Sequence, residues 1–387
     1  MNSSLRVALL IETSREYGRG LLRGISRFQR EHGPWSIYFQ PRGANEPVPT
    51  WLANWNGDGI LARVEDRRMA QAIQKTGVPA VDLRFAVPNL KMPGVGVDNL
   101  ALVSLALDHF LDRGFTRFAF CGYPTGEFIW MDLRAKLFHD LVVQKGYRCE
   151  VFPQDLKIAK PRTWEQDQRQ LVRWIRKLEK PVAIMACNDS RGQQLLDACR
   201  RAEADVPNDL SVLGVDNDEF LCGLSTPPLS SIDINTERIG YYAAELLQSL
   251  MNGAPAPSEP VLFPAEAVIA RRSTDSFAVE DEEFAAVLRY FRENACQGIR
   301  MADITKATGM ERRTLERRMK STLGRSPKDE LIRIKIEESR RLLVRTDMSI
   351  KNIAQAAGFS NSRYFSRVFQ SRVGTTPLAY RKSTHEG

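Results

Sequence analysis

Histidine is scarce in this 387-residue chain, with four in all and no two of them four residues apart. Metal sites built on paired helical histidines are thereby excluded. The six cysteines, Cys121, Cys149, Cys187, Cys199, Cys222 and Cys296, are scattered without one C-x-x-C pair. They read as free thiols of a reducing cytoplasm, neither a disulfide framework nor zinc ligands, and no cofactor is expected. No apolar run approaches the ~18 residues that a membrane span requires, and no apolar leader precedes Val7, so a cytoplasmic chain without a membrane partner is expected. Also missing are a G-x-S-x-G elbow, a Walker loop and an H-E-x-x-H helix. Asp216 and Asp218 do pair two carboxylates, but two aspartates at a strand end equally suit the binding of hydroxyls. An enzyme is therefore not expected.

What the chain has in excess is positive charge, and only at one end. The net charge is +8; residues 281–387 hold 22 Lys and Arg against 13 Asp and Glu, while the first 280 hold 33 against 34. A basic excess confined to one segment predicts a polyanion partner for that segment alone.

Ahead of it, short apolar runs alternate with helical patterns. Residues 7–11, 36–40, 59–62, 80–83, 118–122, 182–186 and 212–215 read as buried parallel strands, and 20–30, 100–113, 130–145 and 190–202 as helices. This alternation predicts a doubly wound α/β architecture with ligand chemistry at the carboxyl ends of the strands. The segment is too long for one such sheet, so two lobes with a cleft between them are expected. Gly18, Gly20 and Gly24 open the first helix as G-x-G-x-x-x-G, one residue too long for a dinucleotide fingerprint. They are expected to let that helix approach the sheet. The stretch 253–264, with "GAPAPSEP", reads as a surface loop, and the polar, acidic 275–283 as a linker that ends a domain of residues 1–274. Residues 280–283 are expected in the first turn of the next helix, where negative charge is favoured.

The last segment, 284–387, repeats one small pattern: a short apolar helix, a glycine, then a basic helix. The first copy runs 301–308, Gly309, 312–322; the second runs 349–357, Gly358, 362–372. Both read as helix-turn-helix units. Leu315 and Met319 in one second helix, and Phe365, Val368 and Phe369 in the other, share an inward face. Outward lie Arg312, Arg313, Glu316, Arg317 and Lys320, and Arg363, Tyr364, Arg367 and Gln370, where arginines suit guanine edges and phosphates. Between the copies Ser326 and Pro327 mark a sharp helix start. Leu331, Ile334, Leu342 and Leu343 give that helix an apolar side to hold the two units on one strut.

The strings "ADITKATGMERRTLERRMKSTLGRSP" and "SIKNIAQAAGFSNSRYFSRVFQSRVGTTPLAYR" resemble the AraC-type DNA-binding domain, the second throughout its length. The resemblance implies a double-stranded DNA operator, with base contacts from Arg313, Glu316, Arg317, Arg363, Tyr364 and Arg367. "GVDNLALVSLALDHFLDRGFTRFAFCGYP", "AIMACNDSRGQQLLDACRRA" and "ADVPNDLSVLGVDNDEF", with the strand pattern, resemble the sugar-binding core of LacI-type repressors, itself similar to periplasmic sugar-binding proteins. The LacI-type headpiece precedes its core, whereas here the AraC-type domain follows it. That order is similar to the regulators of xylose operons, activators of pentose catabolism genes.

The resemblance implies a two-lobed, periplasmic-binding-protein-like α/β core followed by an all-α domain with two helix-turn-helix units. It further implies a sugar effector, xylose favoured, a homodimer on repeated DNA sites, and RNA polymerase as the activator's further partner. Sugar contacts fall by position on Arg134, Asn188 and Asp216, with Asp82 a fourth; Tyr17, Phe85 and Trp130 are candidates to stack on the ring. Asp189 and Asp98 have the plainer reading of helix caps. A regulator of the same build sensing another sugar or small metabolite, and a sugar-acting enzyme joined to a DNA-binding domain, are the other readings.

Overall fold

In the computed structural model, which describes residues 4–43, 46–124, 128–153, 163–278 and 281–385, the chain clusters into two units. One comprises Met1–Leu107 and Arg117–Thr274, the other Asp108–Thr116 and Asp275–Gly387. The short segment Asp108–Thr116, placed in the core by the sequence reading, thus groups with the carboxy-terminal unit.

The first unit holds three sheets, of four, six and two strands. β1 (Arg6–Leu10), β2 (Ser36–Phe39), β3 (Gly59–Ala62) and β4 (Ala80–Asp82) form an all-parallel sheet in the order β2-β1-β3-β4. β1 and β3 are apolar and almost wholly buried, as strands covered on both faces must be. β2 lies at the edge and is mostly exposed. β5 (Val95–Val97) belongs to the two-stranded sheet, and the six-stranded sheet follows it in the chain. There β6 (Arg117–Cys121), β7 (Arg148–Val151), β8 (Val182–Ala186), β9 (Leu210–Val215) and β10 (Ser230–Asp233) run parallel. β11 (Val261–Phe263) pairs with β5, and β12 (Ala267–Ile269) closes the six-stranded sheet antiparallel to β10. β11 falls inside 253–264, which was expected to be loop throughout.

Helices cover the two larger sheets. α1 (Glu16–His32), α2 (Arg67–Lys75), α3 (Asn99–Leu111), α4 (Ile129–Gln144), α5 (Trp164–Ile175), α6 (Asp189–Arg201), α7 (Glu219–Leu224) and α8 (Thr236–Met251) follow in chain order. α8 comes after β10 of the six-stranded sheet yet packs on α1 and on β3 of the four-stranded one, so the chain returns to the first lobe. The contact with α1 explains two of its glycines, Gly20 and Gly24; a Cβ on Gly18 would instead lie 1.8 Å from the Glu12 carbonyl oxygen, just past β1. A Cβ on Gly24 would lie 1.9 Å from the Glu237 carbonyl oxygen, and one on Gly20 1.7 Å from Thr236 Oγ1. Gly20 and Gly24 admit a helix, not the sheet that was expected, because α8 lies over that face.

The second unit is helical: α9 (Glu282–Asn294), α10 (Met301–Thr308), α11 (Arg312–Leu323), α12 (Pro327–Arg345), α13 (Ile350–Ala356), α14 (Ser362–Val373) and α15 (Pro377–His385). Asp281 caps α9 by accepting from the Phe284 N–H at 3.0 Å, so the acidic stretch does stand at this helix's start; residues 279–280 of the expected linker lie outside the described residues. α12 begins as its sequence dictates, with Ser326 Oγ accepting from the Asp329 N–H and Pro327 in the first turn. It serves two cores: Leu331 and Ile334 pack with Phe284, Leu315 and Met319, whereas Ile336 and Leu343 pack with Ile353, Phe365 and Phe369. Asp112, from the short segment, accepts from Arg325 and Arg333 at 2.9 Å each.

Candidate functional site

The carboxyl ends of the two larger sheets of the first unit converge on one cleft of about 710 Å³ of non-atom space, part of it open to solvent. Clefts at strand ends are where such folds bind ligands. Tyr17, Arg63, Arg84 and Phe85 line it from the first lobe; Trp130, Arg134, Asn188 and Asp216 line it from the second.

Arg134, on α4, is 4% exposed. Its Nε donates to Asn99 Oδ1 at 3.0 Å, a terminal nitrogen donates to the Cys187 carbonyl, and the guanidinium lies 5.0 Å from the Trp130 ring centroid. Burial pulls its pKa below the ordinary arginine value, against the nearby Asp216 charge. Asn188 caps α6: its Oδ1 accepts from the Arg191 N–H at 2.9 Å. Asp216 follows β9 in a backbone conformation that side chains avoid, with φ of +101°. Such strain concentrates at ligand-holding residues. Burial pushes its carboxyl up to about 6, even though Arg134, Arg15 and Arg63 pull the other way.

The turn that carries Asp216 is fixed from beneath by Asp189, which accepts from the Asp218 N–H at 2.7 Å and from Ser231 Oγ. Asp189 is therefore no helix cap; Asn188 takes that role. Asp98 does cap α3, accepting from Leu100 and Ala101 N–H at 2.9 and 3.0 Å.

Asp82 does not line the cleft. Its carboxylate accepts from the backbone N–H groups of Val64, Arg84 and Phe85 at 3.0–3.2 Å, which leaves it little capacity for a ligand. Its work is to shape the turn that aims Arg84 and Phe85 into the cleft. The expected fourth sugar contact thus stands behind the lining side chains, not among them.

Three lining arginines escaped the sequence reading: Arg15, Arg63 and Arg84. Buried Glu12 forms ion pairs with Arg63 and, at 3.7 Å, with Arg84, which also meets Glu65 at 3.4 Å. Burial raises the Glu12 pKa, but Arg63, Arg84 and Arg15 hold it below its usual value overall. The signal was present: Glu12, Arg63 and Arg84 each stand just past the end of an apolar strand, where charged residues face the cleft.

In the second unit, Arg313, Glu316 and Arg317 lie exposed on α11, and Arg363 and Arg367 exposed on α14. Leu315, Met319, Phe365 and Phe369 are fully buried beneath them. Glu316 accepts from Arg312 at 2.9 Å. Tyr364 is half-buried, edge-on to Phe359 at 6.1 Å, with the Arg367 guanidinium 5.6 Å from its ring. It therefore divides between packing and display.

Comparison with known proteins matches three patterns along the chain. An XylR N-terminal domain covers residues 6–90, a periplasmic binding protein-like domain residues 107–274, and a helix-turn-helix domain residues 304–383. The chain is 32% identical to the xylose operon regulatory protein of Escherichia coli (strain K12), over 98% of each. It is 29% identical to the protein of that name from Haemophilus influenzae, over 97% of this chain and 98% of the other. The solved structure of a xylose-binding transcription activator, XylR, is similar over 99% of both chains, with a TM-score of 0.64 and 31% identity.

Proposed function

We propose that the chain, which belongs to the xylose operon regulatory protein family and is accordingly a DNA-binding transcription regulator with a sugar-binding amino-terminal domain, takes xylose in its interlobe cleft. The observation that carries this reading is the convergence of Arg134, Asn188 and Asp216, from three elements of one lobe, on a pocket also lined by Tyr17, Phe85 and Trp130. A sugar hydroxyl both donates and accepts, so it pairs with a carboxylate on one side and a guanidinium or amide on the other. Aromatic faces suit the apolar face of the ring. The division of work follows residues 1–274 for the effector and 284–387 for DNA.

Base contacts are assigned to Arg313, Glu316 and Arg317 in the first helix-turn-helix and to Arg363, Tyr364 and Arg367 in the second. Held by α12, two such helices can enter successive major grooves, about 34 Å apart on one face of the duplex. A homodimer would double that footprint, and an activator bound there would engage RNA polymerase in the cytoplasm. Binding of sugar acts on DNA affinity only through a difference in affinity for two states of the protein.

The test is a thermal-shift titration of the purified chain with xylose, arabinose, ribose, glucose and galactose. A bound ligand raises the midpoint as its concentration rises. A selective rise with xylose is expected; a flat response to every sugar would remove sugar from the cleft and leave the DNA-binding half standing.

A further inference from the structure

The cleft is more cationic than a neutral sugar requires. Among the described residues its lining carries four guanidinium groups, Arg15, Arg63, Arg84 and Arg134, against the single carboxylate of Asp216. Arg134 is accounted for by Asn99, the Cys187 carbonyl and the Asp216 charge. The other three stand on the side of the first sheet. Glu12 and Glu65 answer Arg63 and Arg84 from behind the wall. Arg15 lies 5.5 Å from the Phe128 ring centroid, and no described carboxylate forms an ion pair with it.

Geometry leaves this cluster incomplete. Arg63 and Arg84 are each 8% exposed, and the Nε–H of each is buried without a hydrogen-bond partner among the described residues. Open donors on buried cations are costly, and like charges brought together add to that cost. Arg84 registers both: burial, and then the charges of Arg63 and Arg15, draw its pKa below the ordinary arginine value against Glu65 and Glu12. An anionic oxygen group among the three would pair with the guanidinium groups that line the cleft and cancel the repulsion, and guanidinium forks match carboxylate and phosphate in shape. The opposite side is built for hydroxyls, with Asp216, Asn188 and the buried, unpartnered indole N–H of Trp130.

We propose that the cleft has an anion subsite made by Arg15, Arg63 and Arg84, and that it binds a pentose derivative carrying one carboxylate or phosphate group more tightly than the neutral pentose. This rests on the cleft being the sugar site. The anionic group enters the first-lobe side, while the hydroxyls meet Asp216 and Asn188. One ligand thus touches both lobes, with its charge on the first and its neutral hydroxyls on the second.

The test is calorimetric titration of the full-length chain, at one fixed ionic strength, with D-xylose, D-xylonate, D-xylulose 5-phosphate and sodium sulfate. At least one anionic sugar is expected to bind tenfold or more tighter than xylose, and which of the two does so distinguishes carboxylate from phosphate. Arg84→Gln should shrink that advantage, and Arg15→Gln, at a half-buried site without an ion pair, should do so even if the Arg84 variant folds poorly. Xylose binding as tightly as both anionic sugars, or tighter, would overturn the anion subsite and leave the sugar reading intact. Heat from none of the sugars would overturn both. Sulfate matching the anionic sugars would overturn the claim by reducing the cluster to an unspecific anion hole.

Discussion

Asp216 bears opposing demands. Its φ of +101° is costly for any side chain, and its burial opposes a charged one, so that its carboxyl is pushed up to about 6. Sugar hydroxyls donate to the ionised form, so xylose affinity should be full above pH 6 and fall as the pH drops through that value. With one proton taken up, the fall is at most about tenfold per pH unit. The sign for stability is the reverse. A folded pKa above the unfolded one means that ionised Asp216 destabilises the ligand-free protein at neutral pH, and that this penalty fades as the pH falls towards the unfolded value. Asp216→Asn should accordingly raise the melting temperature without ligand at pH 7.5. The same variant should weaken xylose binding ~10–100-fold, the worth of a charge-assisted hydrogen bond of about 1.5–3 kcal/mol, and flatten the pH profile. Calorimetry at pH 5, 6 and 7.5 measures both parts.

Single residues were readable from sequence where a polar side chain follows an apolar run directly. That held for Asn188 after β8 and Asp216 after β9, and the same sign stood over Glu12 and Arg63. Asp82 obeys the pattern and yet is not among the lining residues. Its carboxylate turns back onto three N–H groups of its own turn, a local competition that spacing does not reveal.

Among the elements, α12 is the one on which the second unit depends. It contributes to two hydrophobic clusters at once, and the turn of the second helix-turn-helix closes against the segment before α10. Gly358 makes that closure possible. Its φ is +75°, and a Cβ there would lie 2.6 Å from the carbonyl oxygen of Cys296. Gly358→Ala should cost about 1–3 kcal/mol through the backbone conformation alone, before the clash, and lower the urea midpoint for unfolding of this unit. On α14, Arg367 is exposed and poised over Tyr364. Arg367→Ala should weaken specific operator binding by ~1–3 kcal/mol, read by fluorescence anisotropy at fixed salt, with little change in affinity for unrelated DNA. Unchanged operator affinity would take α14 out of base readout.

The helical repeat was legible because caps, glycines and inward faces agree, as they do at Ser326, Gly309 and Phe365. Two short strands, β5 and β7, were not. β7 reads Arg-Cys-Glu-Val and β5 Val-Gly-Val, and neither carries a period long enough to detect. α8 had its signal in full, with the Asn235 cap and Ile239, Ala243, Leu246 and Leu247 on one face. Its place on the first lobe, however, is a matter of topology that no local pattern contains.

At the scale of the molecule, a charge-balanced core with a polar cleft is joined to a helical unit that holds the whole basic excess. Regulation requires these two parts to share one free energy. Couplings between distant sites are typically 1–3 kcal/mol, a factor of about 5–150 in affinity. Because DNA affinity falls steeply with salt, such a factor has meaning only at constant ionic strength. The most direct measurement is the dissociation constant of the full-length chain for its footprinted operator, with and without saturating effector sugar, beside the Arg134→Ala variant. The account predicts a change of at least fivefold on adding sugar to the wild type, and none in the variant, whose sugar-free affinity stays near normal. An identical dissociation constant with and without sugar in the wild type, or an undiminished response in Arg134→Ala, would contradict it.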